Sequence, residues 1–338
     1  MTNSVKDTSL DTDEAVEALL GRATSRLVPP ESEKDAVRDA VHAEWIELIG
    51  GQRRKKNYMS LALAATVLAA AFISLNMLQT SGIEEVQVAS IDKRFGSIYV
   101  LGDNAELLEG NRLSSVVTGQ TLITDNDSGL ALAWSGGGSL RIDENTRVEF
   151  VSDVKVYLRS GRIYFDSSPV LASRSIIGSE AALTILTDFG EVFHVGTQYM
   201  THADDTNLTV SVREGEVRIE GAGEPATATQ GQHLAISGNG VRNLFAIPSH
   251  GAAWEWVEQT SPAANIDGRS VDEFLSWISQ ETGLDIQYET LAAESYAQQE
   301  LLNGTIDTDP RQALQIWMLG TDLGWRIEDG VIYVNEAQ

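Results

Sequence analysis

The chain contains no cysteine, only seven prolines, and far fewer basic than acidic residues. Without cysteine it can form neither a disulfide framework nor a thiolate zinc site. The 49 acidic against 24 basic residues give a net charge of −25, and residues 1–57, with 11 acids and 9 bases, hold little of it. The rest of the chain is therefore strongly acidic and would repel nucleic acid and anionic lipid, so we expect neither as its partner.

Motifs for catalysis and for metal or cofactor binding are also missing. Gly136-Gly137-Gly138 lacks the Lys and Ser or Thr of a phosphate-binding loop, and Trp134-Ser135-Gly136 does not complete a nucleophile elbow. His194 and His202 share a face of one predicted strand but would lie about 27 Å apart along it. We therefore expect no enzymatic activity, no cofactor and no metal.

One long apolar run, residues 58–78, separates a short polar arm from a long polar body. Its 21 residues include no Asp, Glu, Lys or Arg, and as a helix they would span about 31 Å, the thickness of a bilayer's hydrocarbon core. The run follows four cations, Arg53, Arg54, Lys55 and Lys56, which by the positive-inside rule place residues 1–57 in the cytoplasm. A signal peptide would have a shorter apolar core nearer the N-terminus. The pattern predicts a single transmembrane helix.

The arm, residues 1–57, is predicted to be helical. Residues 11–24 have apolar side chains at helical spacing, and Ser32 with Asp35 resembles a capping box that opens a second helix after Pro29-Pro30. An apolar stripe follows on this second helix: Val37, Val41, Trp45 and Leu48. Two such helices bury little apolar area alone. The stripe is explained either by a mutually packed helical hairpin or by a docking surface for a cytoplasmic protein.

Residues 83–250 change to an alternating pattern. Short segments rich in β-branched residues, such as 130–134, 148–150, 156–158, 162–165, 208–212 and 217–219, are separated by turn signals that include Ser160-Gly161 and Glu214-Gly215. The 29 glycines fit many tight turns. We predict an all-β domain, either a sandwich or a solenoid.

Residues 262–338 form a third predicted region, a small α+β module. Ser270 with Glu273 is a capping box that opens a helix ended by Gly283. A second helix has Asp309 as its cap and Pro310 at its first position. Asp329-Gly330 predicts a hairpin turn between two closing strands. The spacing indicates two helices against a small sheet.

Six pieces of the β region resemble, in order, the periplasmic domain of the FecR family of sigma-factor regulators: residues 119–124, 138–148, 161–166, 193–199, 212–217 and 231–234. The positions that carry the motif are Gly161, Gly196, Thr197, Gln198, Gly215 and Gly231. The C-terminal module is similar to the short domain at the N-terminus of secretins and TonB-dependent receptors.

The resemblance implies a single-pass protein of the bacterial inner membrane, with its N-terminus in the cytoplasm and its C-terminus in the periplasm. It implies that the arm holds an extracytoplasmic-function sigma factor. We assign this contact to the apolar stripe of the second helix, Val37, Val41, Trp45 and Leu48, and receptor contact to the C-terminal module. It also implies that the periplasmic part receives a signal from a TonB-dependent outer-membrane receptor, and that an intramembrane protease releases the arm.

Three tryptophans lie near the boundary between the β region and the C-terminal module. Trp254 and Trp256 are two residues apart, and Trp277 is on the first helix of the module. They are interpreted as interdomain packing or as a surface that faces a receptor or a sugar. A second hypothesis for the whole chain is therefore an anchored envelope scaffold or carbohydrate-binding protein without sigma-factor control.

Overall fold

The computed structural model describes residues 34–35, 38–39, 86–102, 106–110, 112–169, 171, 183–221 and 223–337. The chain divides into two compact units, Met1–Thr80 and Ser81–Gln338. In the first unit, the four described residues are helical and exposed, and Arg38 donates a hydrogen bond to Asp35 at 3.2 Å. Because both side chains face solvent, this pair contributes little stability.

Several predicted features fall outside the described residues. These are the apolar stripe (Val37, Val41, Trp45 and Leu48), the cations at 53–56 and the apolar run 58–78, and they stay predictions. Within the described ranges, no helix has the length and apolar character needed to span a bilayer.

The first part of the second unit consists of β-strands, which confirms the predicted all-β domain. The strands are β1 (Gln87–Phe95), β2 (Ile98–Leu101), β3 (Leu107–Glu109), β4 (Ser115–Val117), β5 (Thr121–Thr124), β6 (Gly129–Trp134), β7 (Ser139–Ile142), β8 (Arg147–Ser152), β9 (Lys155–Asp166), β10 (Thr184–Thr187), β11 (Gly190–Ala203), β12 (Asn207–Gly221), β13 (Gly223–Thr229), β14 (Gln232–Ser237) and β15 (Arg242–Ala246).

These strands form one 15-stranded sheet. Its main path of hydrogen-bonded neighbours runs β15-β14-β12-β11-β10-β9-β7-β6-β1-β4, with β13 on β12 and a branch of β2, β3, β5 and β8 that meets β9. The first half of β9 pairs with β8 and β10, and its second half pairs with β7 and β11. One long strand therefore serves two parts of the sheet.

A continuous apolar core lies inside this domain because alternate strand residues point to the same face. In β8, for example, Val148 and Phe150 are buried while Arg147 and Val151 are exposed. Leu122, Leu140, Leu158 and Ile185, from four other strands, are buried in the same cluster. In β8, apolar residues alternate along the sequence, and the buried side chains alternate in the same way.

Two predicted turns are wrong. Ser160-Gly161 and Glu214-Gly215 lie inside β9 and β12, so the segments predicted as separate strands on either side of each pair are single long strands. Gly161 has φ +92°, and a Cβ there would lie 2.7 Å from the Cβ of Thr146. The left-handed glycine produces a local bulge where another chain segment comes close, rather than a reversal of the chain.

The C-terminal part of the unit begins with a 3₁₀ turn, Ala252–Trp254, and α1 (Glu255–Gln259). The remaining elements are β16 (Ala264–Asn265), β17 (Arg269–Ser270), α2 (Val271–Thr282), β18 (Asp285–Tyr288), α3 (Leu291–Gln299), β19 (Leu301–Leu302), β20 (Thr305–Ile306), α4 (Pro310–Met318), β21 (Leu323–Glu328) and β22 (Val331–Glu336). Small sheets pair β16 with β20 and β17 with β19, and in a third sheet β22 lies between β18 and β21.

The local signals in this module are confirmed. Ser270 and Glu273 form a reciprocal capping box on α2, Gly283 ends that helix at φ +69°, and Asp309 caps α4 with Pro310 as its first residue. Asp329 and Gly330, both at positive φ, make the hairpin turn. The expectation of two helices is wrong, because a third helix, α3, packs against α2 and β22 with Ala293 and Ala297 buried.

Candidate functional site

Four of the predicted motif positions come together at a bulge between β11 and β12. The register of the two strands shifts between Val195 and Gln198, opposite Glu214. Gly215, at φ +78°, lies against this bulge, and a Cβ there would approach Thr197 Cγ2 to 2.6 Å. Thr197 and Gln198 are buried. The motif Gly196-Thr197-Gln198 with Gly215 is therefore a packing unit that shapes the middle of the sheet.

The other two motif glycines lie elsewhere. Gly161 packs on Thr146 at the bend of β9. Gly231 is at φ +76° in the turn before β14, where its N–H donates to Val212 O at 2.9 Å and its carbonyl accepts from Ile247 N–H. The structure therefore does not bring all six positions into one cluster.

Asp166, the last residue of β9, connects the bulge to a buried polar cluster. Gln198 Nε2 donates to Asp166 Oδ2 at 3.1 Å, and the Ser168 N–H donates to Oδ1 at 2.9 Å. The pKa of Asp166 is raised to about 6, mainly by burial; nearby Glu281 adds to the shift, while these two hydrogen bonds and Arg141 oppose it.

Arg141 on β7 and Glu281 near the end of α2 form an ion pair between the β-domain and the C-terminal module. Arg141 Nη2 donates to Glu281 Oε1 at 2.8 Å, and Nη1, 2.6 Å from Oε2, donates to Val257 O at 2.8 Å. The two side chains are 1% and 2% exposed. Burial alone would lower the pKa of Arg141, but the adjacent Glu281 raises it overall, so the guanidinium stays charged.

Arg213 on β12 binds the C-terminal end of the same helix. Its Nη1 donates to Glu281 O at 3.1 Å, and its Nε donates to Ser249 O at 2.7 Å. The last carbonyls of a helix lack intrahelical partners and carry partial negative charge, so a cation is favoured there. Ser249 Oγ also donates to Gly283 O at 2.6 Å. The β-domain thus caps α2.

Aromatic side chains surround these two arginines. Arg213 lies 4.4 Å from the ring centre of Trp254, and Arg141 lies 5.2 Å from that of Tyr164. The Tyr164 and Trp254 rings meet edge to face at 6.3 Å, and Trp256 Nε1 donates to Met200 Sδ at 3.3 Å. Burial raises the pKa of Tyr164, so its hydroxyl stays protonated.

The three predicted tryptophans have different environments. Trp254 and Trp256 are 0% and 8% exposed and form a cluster with Tyr164, Met200 and Val257, so they pack between the β-strands and α1. Trp277 is 2% exposed and lies in the core of the C-terminal module, stacked on Phe274. Trp277, for which a receptor-facing or interdomain position was predicted, thus lies inside the module's own core with almost no exposed surface.

Further contacts extend the junction on both sides. Arg311 of α4 makes two hydrogen bonds to Glu258 of α1, at 2.6 and 3.0 Å. Gln280 donates to Ser168 O at 2.9 Å, and Leu171, between β9 and β10, packs against the core of the module. We call this whole contact between β-strands, α1 and the module the junction.

The junction joins the β-domain to the C-terminal module. Its charged groups contact one another and do not line a cleft. The described residues contain no group of three metal-ligating side chains. Arg141, Arg213 and Glu281 were not singled out from the sequence. The sequence offers no signal for Arg141, because alternation with Leu140 and Ile142 would place its side chain on the solvent face. The strand is instead buried throughout, so the cation requires a buried acceptor.

Comparison with known families covers five of the six motif positions, and Gly231 lies outside the matched residues. A family model described as FecR protein matches residues 120–218. This stretch is therefore similar to the FecR family. The resemblance is therefore confirmed over β-strands that include Arg141, Asp166, Gln198 and Arg213, while the arm and the C-terminal module lie outside the matched residues.

Two crystal structures are similar to the chain, both described as a "putative anti-sigma factor from Parabacteroides distasonis" and determined at 2.50 and 1.65 Å resolution. Each is 14% identical, covers 64% of this chain and 99% of its own, and has a TM-score of 0.33. A TM-score of this size does not establish a common fold. No curated protein matches the chain.

Proposed function

We propose that the protein regulates a sigma factor and transmits a signal to it from the other side of a membrane. The observation that carries this proposal is the match to the FecR family at residues 120–218. The family resemblance adds an extracytoplasmic-function sigma factor as the partner and an outer-membrane TonB-dependent receptor as the source of the signal.

The N-terminal part supplies the cytoplasmic half of this proposal. The stripe of Val37, Val41, Trp45 and Leu48 is the surface that would contact the sigma factor. The apolar run 58–78, with the cations at 53–56 before it, would anchor the chain in the inner membrane with the arm inside. Release of the arm would require cleavage within or beside this run by an intramembrane protease.

The junction supports a role for the C-terminal module in receiving the signal. Arg141 and Arg213 lie in the stretch that matches the FecR family, and both bind the end of α2 through buried contacts. A change at the module would therefore act directly on strands β7 and β12. Arg213, which makes the β12 contact, lies two residues from Gly215 in the bulge. The motif residues are therefore directly connected to the junction through β12.

The alternative of a carbohydrate-binding protein has lost its supporting observation. It relied on Trp254 and Trp256 as stacking surfaces, and both rings are buried in the junction. Sugar stacking requires an exposed ring face. We therefore propose no second function.

The proposal is tested by copurification and by transcription. The full chain, isolated in mild detergent from its own cells, should carry a sigma factor, and Trp45→Asp should remove it. Asp39→Asn, an exposed position on the same predicted helix, is the matched control and should retain it. If the wild-type chain recovers no sigma factor, and its deletion changes no sigma-dependent transcript, the proposal is wrong.

A further inference from the structure

Strand β15 ends the large sheet with one edge free in the described part of the chain. It pairs with β14 and with no other described strand. Ser237 N–H donates to Val241 O, and Ile247 N–H donates to Gly231 O. Because backbone groups alternate in an antiparallel pair, Asn243 and Phe245 also bond toward β14. The N–H and C=O groups of Arg242, Leu244 and Ala246 therefore point away from the sheet.

Apart from the charge of Arg242 at its start, this edge lacks the usual protection against strand pairing. Edge strands in soluble proteins typically carry lysine, proline or a bulge. The register of β15 against β14 is regular, and its sequence, Arg-Asn-Leu-Phe-Ala, contains neither Lys nor Pro. Leu244 and Phe245 are 51% and 56% exposed. The edge therefore presents open hydrogen-bonding groups together with apolar side chains.

The charge distribution indicates which partner fits this edge. Residues 225–254, which include five of the seven residues of β13 and the whole of β14 and β15, contain no Asp or Glu, although the chain has 49. Two copies of such an acidic body repel each other over most orientations. They meet with the least repulsion along this acid-free edge.

We propose that β15 pairs antiparallel with β15 of a second copy, so that two large sheets become one. A twofold axis at Leu244 gives the longest overlap, because it places Leu244 opposite Leu244 of the second copy and Arg242 opposite its Ala246. All the paired residues are those whose backbone groups point outward. The arrangement is isologous and closed, as most homodimers are, and keeps the two Arg242 side chains apart.

The absence of cysteine allows a direct test on the full chain. Leu244→Cys introduces a single thiol that lies next to its symmetry mate in the proposed dimer. With a short bismaleimide cross-linker, the purified chain in mild detergent should give a species of twice 36.7 kDa. Val151→Cys is the matched control, since Val151 is 42% exposed on β8, remote from the edge, and should stay monomeric on the same gel.

A second variant separates edge pairing from chance collision. Ala246→Pro in the Leu244→Cys chain removes an outward N–H and leaves the bonds to β14 in place. We expect a roughly tenfold or greater loss of cross-linked dimer. Each copy loses the hydrogen bond that its residue 246 N–H would donate across the dimer interface, and the proline ring leaves less room there. Light scattering on the chain without cysteine should give a dimer that Ala246→Pro converts to a monomer.

Three results would overturn the proposal: a monomeric mass for the wild-type chain, equal cross-linking of the two cysteine variants, or cross-linking that Ala246→Pro does not change. Capture of a different protein by Leu244→Cys in cells, without a homodimer, would also overturn it. None of these measurements involves a sigma factor, so they are independent of the proposed function.

Discussion

Arg141 and Glu281 are 140 positions apart in the sequence, and their side chains form a buried ion pair at 2.6 Å. The guanidinium comes from β7, within the stretch that matches the FecR family, and the carboxylate from the last turn of α2. Arg213 binds the backbone of the same residue, Glu281. Two cations of the β-domain thus hold the end of α2. Arg141 binds the side chain of Glu281, and Arg213 binds the backbone carbonyl of the same residue.

Loss of Glu281 should destabilise the protein strongly. In Glu281→Ala, Arg141 stays buried without its carboxylate, and removing one partner of such a pair typically costs about 3–5 kcal/mol. We expect this loss in the free energy of unfolding, measured by denaturant titration with tryptophan fluorescence. The surface pair Arg159–Glu149, at 3.1 Å with side chains 46% and 36% exposed, provides the control. Glu149→Ala should cost no more than about 1 kcal/mol.

Replacement of both partners provides a sharper test of the same pair. In Arg141→Met with Glu281→Leu, no buried charge remains, so the double variant should be more stable than Glu281→Ala alone. Additive losses would show that Arg141 and Glu281 contribute separately and that the ion pair does not stabilise the junction.

Asp166 should make stability depend on pH. Its carboxyl ionises at about pH 6 in the folded protein against 3.8 as the ordinary value, because burial raises its pKa. Between about pH 4 and pH 6 the native state then binds more protons than the unfolded state. The free energy of unfolding should therefore fall as the pH rises through this window, by roughly 3 kcal/mol.

Asp166→Asn removes the titrating group and should remove this fall. Asp143 and Glu258, whose pKa values burial also raises, stay in both proteins, so the difference between the two curves isolates Asp166. Gln198→Met should move the fall to higher pH, because it deletes a hydrogen bond that lowers the pKa of Asp166. Parallel curves for wild type and Asp166→Asn would contradict the prediction.

The predictable parts of the fold are those determined by neighbouring residues. The capping box of Ser270 and Glu273, the cap of Asp309 and the hairpin turn at Asp329-Gly330 each depend on contacts within four positions, and all three are present. Helix α3 was missed because its buried face consists of Ala293 and Ala297, which form too small an apolar stripe to stand out.

The junction could not be predicted in the same way. A glycine between β-rich segments suits both a hairpin turn and a bulge, and the choice at Gly161 and Gly215 depends on Thr146 and Gly196, which lie elsewhere in the sequence. The pairing of Arg141 with Glu281 likewise depends on where α2 docks. Sequence located the motif residues, but only the fold identifies Asp166 and the two arginines as their neighbours.

Gly215→Ala should be far more harmful than an alanine at a glycine with similar φ but free space. Gly215 and Gly119 have φ of +78° and +84°, and a Cβ at Gly119 would meet nothing within 4 Å. Both variants carry the left-handed strain of about 1–2 kcal/mol. Gly215→Ala adds an overlap with Thr197, worth roughly 1–3 kcal/mol more. Equal denaturation midpoints for the two variants would show that the bulge tolerates a methyl group.

Trp254 should act as a structural residue of the junction and not as a binding surface. The ring is fully buried, lies over Arg213, and donates from Nε1 to Pro248 O at 2.8 Å. Trp254→Ala should lower the free energy of unfolding by about 3–5 kcal/mol, because it opens a cavity and uncovers a cation. Trp254→Phe, which keeps an aromatic face, should lose less. Trp317→Ala, at a partly buried ring of α4, is the control and should also lose less.

The opposite outcome would contradict the packing role of Trp254. If Trp254→Ala unfolds at the wild-type midpoint but abolishes binding to a glycan array, the ring binds sugar and the packing role is wrong.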